Sequence, residues 1–316
     1  AVTLAPAGRD GVRPARAARL QDGRADRSLP EGPAFQRHLA QTAPAAPVAR
    51  PVAVILCQFP DSTVATWRTP AQYTTEWTAA AGSVTAWYAE VSRGALTLAG
   101  TRVFGPYPLP KNRVDYVPAT ANATADLGAL ADDCAAAADA DVHFPSFTDV
   151  AFTFSAPLDC CSWGGSRTLT RDGQSRRYGV MWNASWAGIG TQIHELGHAL
   201  GLPHSATTYG RVYDSQWDVM SSSSGLAHFV GFGKRRLGWV PGERVVVQRG
   251  EARTLRIGRS ALPPADGSAL LVELPLPTGA GHAYLLEARR RVGFDGNVPP
   301  AGDGVLVSRL DPSRAE

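Results

Sequence analysis

Residues 194 to 204 read His-Glu-Leu-Gly-His-Ala-Leu-Gly-Leu-Pro-His, and no other stretch restricts this chain so tightly. Three of its seven histidines, His194, His198 and His204, fall there. At this composition the five fixed letters of HExxHxxGxxH arise by chance roughly 10⁻⁵ times in a chain of this length. On an α-helix, positions i and i+4 lie one turn apart on the same face, so His194 and His198 can offer two imidazoles to one ion. Glu195 lies about 100° round from His194, too far to chelate the same ion easily but near enough to reach a water bound to it. Gly201 suits the place where the helix stops, because a residue without Cβ takes φ > 0 there at little cost. The chain can then double back through Leu202 and Pro203 and present His204 as a third ligand. Three neutral imidazoles fill three corners of a tetrahedron and leave the fourth to water, the pattern of a catalytic zinc rather than a structural one. An ordinary amphipathic helix with two surface histidines and a solvated Glu accounts for HExxH alone, but poorly for Gly201 and His204 as well. Ile189, Ile193, Leu196 and Leu200 supply the helix with a buried face, so the histidines need not double as core.

Length and composition bound the rest. A chain of 316 residues has room for a catalytic domain of about 200 residues and a smaller appendage. Hydrophobic residues at 44% and charged residues at 19% are ordinary for a globular protein. No uninterrupted apolar run reaches the roughly 18 residues of a membrane span. A net charge of +3, without a basic stripe interleaved with aromatics, gives no case for nucleic acid. The opening AVTLAPAGRDG has neither an initiator Met nor an apolar signal core, and reads as an already processed product. The cysteines are Cys57, Cys134, Cys160 and Cys161. Their even count fits two disulfides in an oxidising compartment, the favoured reading, or four reduced thiols. Adjacent Cys160 and Cys161 can hardly pair with each other without strain, so any bridges are expected to run from them to Cys57 and Cys134. No CxxC pair exists to make a structural zinc site.

Along the chain, residues 1–48 are rich in Arg, Ala and Pro without apolar periodicity, and read as an extended or disordered lead-in, a propeptide remnant. The run from Pro51 to Phe59 reads as a buried strand. Thr69 and Pro70 open a helix that Gly94 stops, with Trp77, Val84, Trp87, Tyr88 and Val91 on one core-facing side. Ala95 to Phe104 reads as a second strand. The Ala-rich stretch from about 123 to 140 reads as a helix with Leu127, Leu130, Cys134 and Ala138 inward. Asp149 to Ser155 reads as a third strand, so the order implies an α/β layer with a largely parallel sheet. Gly165 to Trp182 reads as a hairpin turning at Asp172-Gly173, whose edge either binds an extended peptide or is a simple edge without ligand. Lys234 to Trp239 suggests a short closing helix. Beyond residue 243, short strands between Gly and Pro turns suggest a small all-β unit. The expected division is therefore 1–48, a catalytic domain over 49–242, and a β-rich unit over 243–316. Asn122 and Asn183 open glycosylation triplets, a weak signal.

Met220, in Trp217-Asp218-Val219-Met220-Ser221, is one of only two methionines. Alone it is core filler. After the three-histidine motif it resembles the Met-turn of the metzincin metallopeptidases, where a methionine forms a hydrophobic floor beneath the zinc ligands. Together with HELGHALGLPHS, YDSQWDVMS from Tyr213, WYAEVSRGALTL from Trp87 and AYLLEARRRVGFD, the chain resembles the metzincins, most of all the gametolysin-like and immune-inhibitor-A-like secreted peptidases. The resemblance covers roughly residues 50 to 310 and is specific only at the zinc helix and the Met-turn. It implies an α/β (α+β) catalytic domain with a twisted mixed sheet above a zinc-binding helix, and extracellular zinc-dependent cleavage of proteins or peptides. Two departures stand out. Some metzincins carry an assisting Tyr two residues after the Met; here Ser222 occupies that position, so the aid is absent or comes from Tyr209 or Tyr213. His204 tilts the match towards gametolysin, since immune-inhibitor-type members often lack a third histidine at this spacing.

The expected chemistry uses one Zn²⁺ on His194, His198 and His204, and Glu195 as the base for the zinc-bound water. Asp214 or Asp218 is expected to orient a ligand histidine through its second nitrogen. Nothing in the sequence fixes a Ca²⁺ site or an oligomeric state. Two rival functions stay open: a non-catalytic zinc-containing module that binds protein or glycan, and a zinc hydrolase of another amide.

Overall fold

The computed structural model describes residues 2–4, 18–20, 47–62, 67–119, 124–207, 211, 213–278, 280–299 and 303–312. The chain is mixed α/β, and packing divides it into two compact units. One holds Val48–Ala89 and Leu96–Gly201; the other holds Glu90–Ala95 and Leu202–Glu316 with the segment before Val48.

The first unit is built on a five-stranded sheet. Strand β1, Val52–Gln58, is apolar and buried on both faces, as a strand inside a parallel sheet must be. Helix α1, Pro70–Thr78, starts with a reciprocal capping box between Thr69 and Gln72. Helix α2, Val84–Val91, follows. Sequence periodicity suggests one helix through this region, but the chain breaks it at Gly82, which takes φ +67. Ser83 then restarts it, its hydroxyl accepting from Ala86 N at 3.0 Å. All five residues assigned to the apolar face are buried nonetheless, spread over two helices.

Strand β2, Arg102–Pro108, is likewise shorter than expected. A turn at Leu98 to Thr101, with Gly100 at φ +90, separates it from Leu96–Thr97, which pairs instead with Val48–Ala49. Helix α3, Leu127–Ala138, is capped by Asp126 and buries Leu130, Cys134 and Ala138. Strands β3, Asp149–Phe154, β4, Trp163–Arg171, and β5, Gln174–Asn183, complete the sheet in the order β2-β1-β3-β5-β4. The first four are parallel, and β4 returns antiparallel along one edge. The β4–β5 turn places Asp172 at φ +51 and Gly173 at φ +70, the left-handed pair a two-residue hairpin requires. Helix α4, Ile189–Ala199, packs on β4 and β5.

The disulfides differ from the expected pairing. Cys57 on β1 bonds Cys134 on α3, two fully buried residues with Cα atoms 5.9 Å apart. With these joined through the core, Cys160 and Cys161 pair with each other in the loop before β4. The Asp159 carboxylate anchors that loop by accepting from Ala125 N at 3.0 Å and from Cys161 N and Trp163 Nε1 at 3.2 Å. Asn183 is fully buried at the end of β5, which removes its triplet as a glycan acceptor. Asn122 lies outside the described residues.

The second unit carries a six-stranded sheet. Its strands include β6, Ser205–Ala206, β7, Val245–Val247, β8, Leu271–Pro275, β9, Ala283–Arg289, and β10, Gly304–Leu310. The order is β6, Ala18–Leu20, β10, β9, β8, β7. Val2–Leu4 pairs separately with Arg253–Leu255; the remainder of the first 46 residues lies outside the described ones. Helix α5, Gly231–Arg236, contributes Phe232 to a core with Val230, Leu271, Leu285 and Leu310. The strands after residue 243 therefore share their unit with α5 and the turn that carries Met220. At the end of β9, Arg289 bonds Asp295 at 2.5 Å, both side chains fully buried. Burial alone would raise the Asp295 carboxyl, but the charge of Arg289, helped by His228 and Lys234, holds it at about 2.

Candidate metal centre

Helix α4 owes its position to contacts along its length. Ile193 and Leu196 are fully buried, and the Tyr88 hydroxyl donates to the Ile193 carbonyl at 2.8 Å. Near its start, Gln192 Nε2 donates to Glu76 Oε2 at 3.1 Å, and Arg68 pairs with Glu76 at 2.9 Å. Two glycines of the hairpin lie directly on it. A Cβ at Gly164 would stand 2.1 Å from the Glu195 carbonyl oxygen and 2.8 Å from His198 Cβ, and one at Gly179 would stand 3.2 Å from Ala199 Cβ. The edge strand β4 therefore runs hard against the turn that carries Glu195 and His198, at a distance only glycine permits. The helix ends as its sequence demands: Gly201 takes φ +89 and its N–H donates to the His198 carbonyl at 2.8 Å.

One potential ligand nitrogen from each of His194, His198 and His204 lies within 4.8 Å of the others, and no second such group occurs among the described residues. His194 Nε2 and His198 Nε2 are 3.1 Å apart. Two nitrogens sharing a tetrahedral zinc at about 2.0–2.1 Å stand about 3.3 Å from one another, so the pair fits a single ion. His194 and His198 are buried and His204 is half-buried, leaving the third side of the site the more open. Glu195 is buried beside them, and that burial pushes its carboxyl up to about 8. A divalent cation on the imidazoles would oppose that rise by favouring the carboxylate.

No protein-family model and no curated protein matches this chain.

The segment after the third histidine is tied to the turn that holds Met220. Met220 is buried, and its carbonyl accepts from Ser205 N at 3.2 Å. Its N–H donates to Asp218 Oδ1 at 3.0 Å, while Asp218 Oδ2 accepts from the Ser205 hydroxyl at 2.7 Å. Burial raises the Asp218 carboxyl, opposed by these two hydrogen bonds and by the charge of Arg289. One step further on, Asp214 accepts from Thr207 N at 2.8 Å and from Thr207 Oγ1 at 2.6 Å. The two acids that the sequence marks as candidate histidine partners are thus engaged with the residues that follow His204.

Tyr213 takes φ +62, a left-handed conformation uncommon for a bulky side chain, and sets its ring edge-on to His204 at 5.2 Å between centroids. Tyr213, one of the two candidate tyrosines, thus stands beside His204; Tyr209 lies outside the described residues. Sequence reasoning passed over Gly164 and the Ser205–Asp218 bond. The adjacent glycines 164 and 165 at the start of a strand were a readable sign of close backbone approach. The bond between Ser205 and Asp218 had no such sign, because it joins residues brought together only by the return of the chain.

Proposed function

We propose that this chain is a secreted zinc-dependent metalloendopeptidase of metzincin type. The observation that carries the reading is the convergence of His194, His198 and His204 to within 4.8 Å, with Glu195 buried on the same helix. Neutral imidazoles hold an ion without cancelling its charge, and three of them leave one tetrahedral corner for reactants. Zinc, when bound, supplies a Lewis acid that polarises a peptide carbonyl and makes water nucleophilic near neutral pH. Glu195 then has the general-base role: a carboxylate oxygen takes the proton of the attacking water and returns it to the departing amine nitrogen. Met220 serves as the apolar floor of the site, and Tyr213, edge-on to His204, is a tyrosine placed to assist.

Protein or peptide substrates are favoured by the edge strand. Among the described residues β4 pairs on one side only, with β5, and it runs against the turn bearing Glu195, so an extended peptide added alongside it would bring its backbone to the site. Secretion is favoured by the two disulfides, which persist in oxidising compartments. In this reading the five-stranded sheet with α4 forms the catalytic layer, and the strands after residue 243 form an accessory β unit.

The test is Glu195→Ala. The variant should retain one zinc per chain and lose casein hydrolysis by about 10²–10⁴-fold. Undiminished turnover at equal zinc content would refute the assignment.

A further inference from the structure

The ligand helix is held along its length, whereas His204 stands on the return segment beside the Tyr213 ring and immediately before Ser205. Ser205 belongs to β6, which pairs with Ala18–Leu20, and two further hydrogen bonds hold it from the turn at residues 218–220. Ser205 N donates to the Met220 carbonyl at 3.2 Å, and Ser205 Oγ donates to Asp218 Oδ2 at 2.7 Å. The other oxygen of the same carboxylate accepts from Met220 N at 3.0 Å, so one side chain bridges the segment and the turn. The turn is closed on itself as well: Ser221 N and Ser222 N both donate to the Asp218 carbonyl at 2.9 Å, and Ser215 N donates to Ser221 Oγ at 3.0 Å. Ser205, Ser215, Asp218 and Ser221 are all buried, so these bonds form away from competing water. A carboxylate in such a place costs free energy that an apolar residue of similar size would avoid, and one of its bonds goes to the residue next to a ligand.

We propose that Asp218 is the positioning residue for the third metal ligand, holding His204 in its binding position through Ser205. The proposal deepens the metal-centre reading and rests on it. Hydrogen bonds one step behind a metal ligand generally control affinity, because they fix the ligand before the ion arrives. Asp218 touches neither ion nor substrate in this assignment; it acts through the chain neighbour of His204.

The experiment measures zinc dissociation constants by chelator competition on the full chain, together with the visible spectrum of the Co²⁺-substituted protein. Ser205→Ala and Asp218→Ala should each weaken zinc binding by about 10–100-fold and alter the Co²⁺ bands of the three-imidazole site. Adding Ser205→Ala to Asp218→Ala should change affinity little further, since both remove one bond. Asp218→Asn should restore most of the affinity: its amide oxygen still accepts from Met220 N, and the Ser205 hydroxyl can rotate to accept from the amide nitrogen. If Asp218→Ala does not fold, Ser205→Ala, which loses a single hydroxyl, carries the comparison. Folded variants of lower melting temperature with zinc affinity and Co²⁺ spectrum unchanged would overturn the proposal and leave the metal centre standing. A wild-type chain that takes up no zinc would overturn both.

Discussion

A missing side chain at position 164 matters as much to the proposed site as the imidazoles. The space a Cβ would need at Gly164 is occupied by the Glu195 carbonyl and His198 Cβ, both belonging to a helix that cannot give way locally. Gly164→Ala should therefore lower stability by about 1–3 kcal/mol through overpacking. Its neighbour provides the control: nothing lies within 4 Å of a Cβ at Gly165, so Gly165→Ala should fall within about 0.5 kcal/mol of wild type. Urea denaturation of the two variants distinguishes a specific close approach from a general sensitivity of the strand; equal effects would contradict the packing described. At this scale the convergence of His194, His198 and His204 was legible, because HExxHxxGxxH encodes a local geometry of one helix and its stop. Gly201 at φ +89 is that encoding read directly. The partners of Asp214 and Asp218 were not announced, since Thr207 and Ser205 reach them only once the loop has returned.

Elements were legible where a single period governs them and illegible where two local signals compete. The buried runs of β1 and β3, the capped helix α3 and the β4–β5 hairpin with its Asp172-Gly173 turn follow from pattern and turn chemistry alone. The stretch from Pro70 to Val91 keeps one apolar face, and periodicity therefore merges α1 with α2; the left-handed Gly82 and the capping Ser83 decide otherwise. The same competition cuts the expected strand at Gly100. The β strands after residue 243 were visible one by one, but their sheet was not. It recruits Ser205–Ala206 and Ala18–Leu20, pairings that no local pattern specifies.

For the molecule as a whole, the two disulfides differ in what they can contribute. Cys57–Cys134 closes a loop of 77 residues, and the loss of chain entropy in the unfolded state is worth about 4 kcal/mol. Cys160–Cys161 spans adjacent residues and restrains almost none of the unfolded chain. Replacing the first pair by alanine should accordingly cost several-fold more stability than replacing the second, as read by denaturant titration; the reverse order would argue against the pairing. Neither change alters His194, Glu195, His198 or His204, so whatever activity survives reports the remaining fold. The account stands or falls on the metal and its chemistry together. The direct measurement is digestion of a proteome-derived peptide library by the purified chain, stripped with a chelator and then restored with zinc, with products read by mass spectrometry. One equivalent of zinc should restore internal peptide cleavage that the stripped protein lacks; cleavage indifferent to stripping, or none at full zinc occupancy, would contradict it.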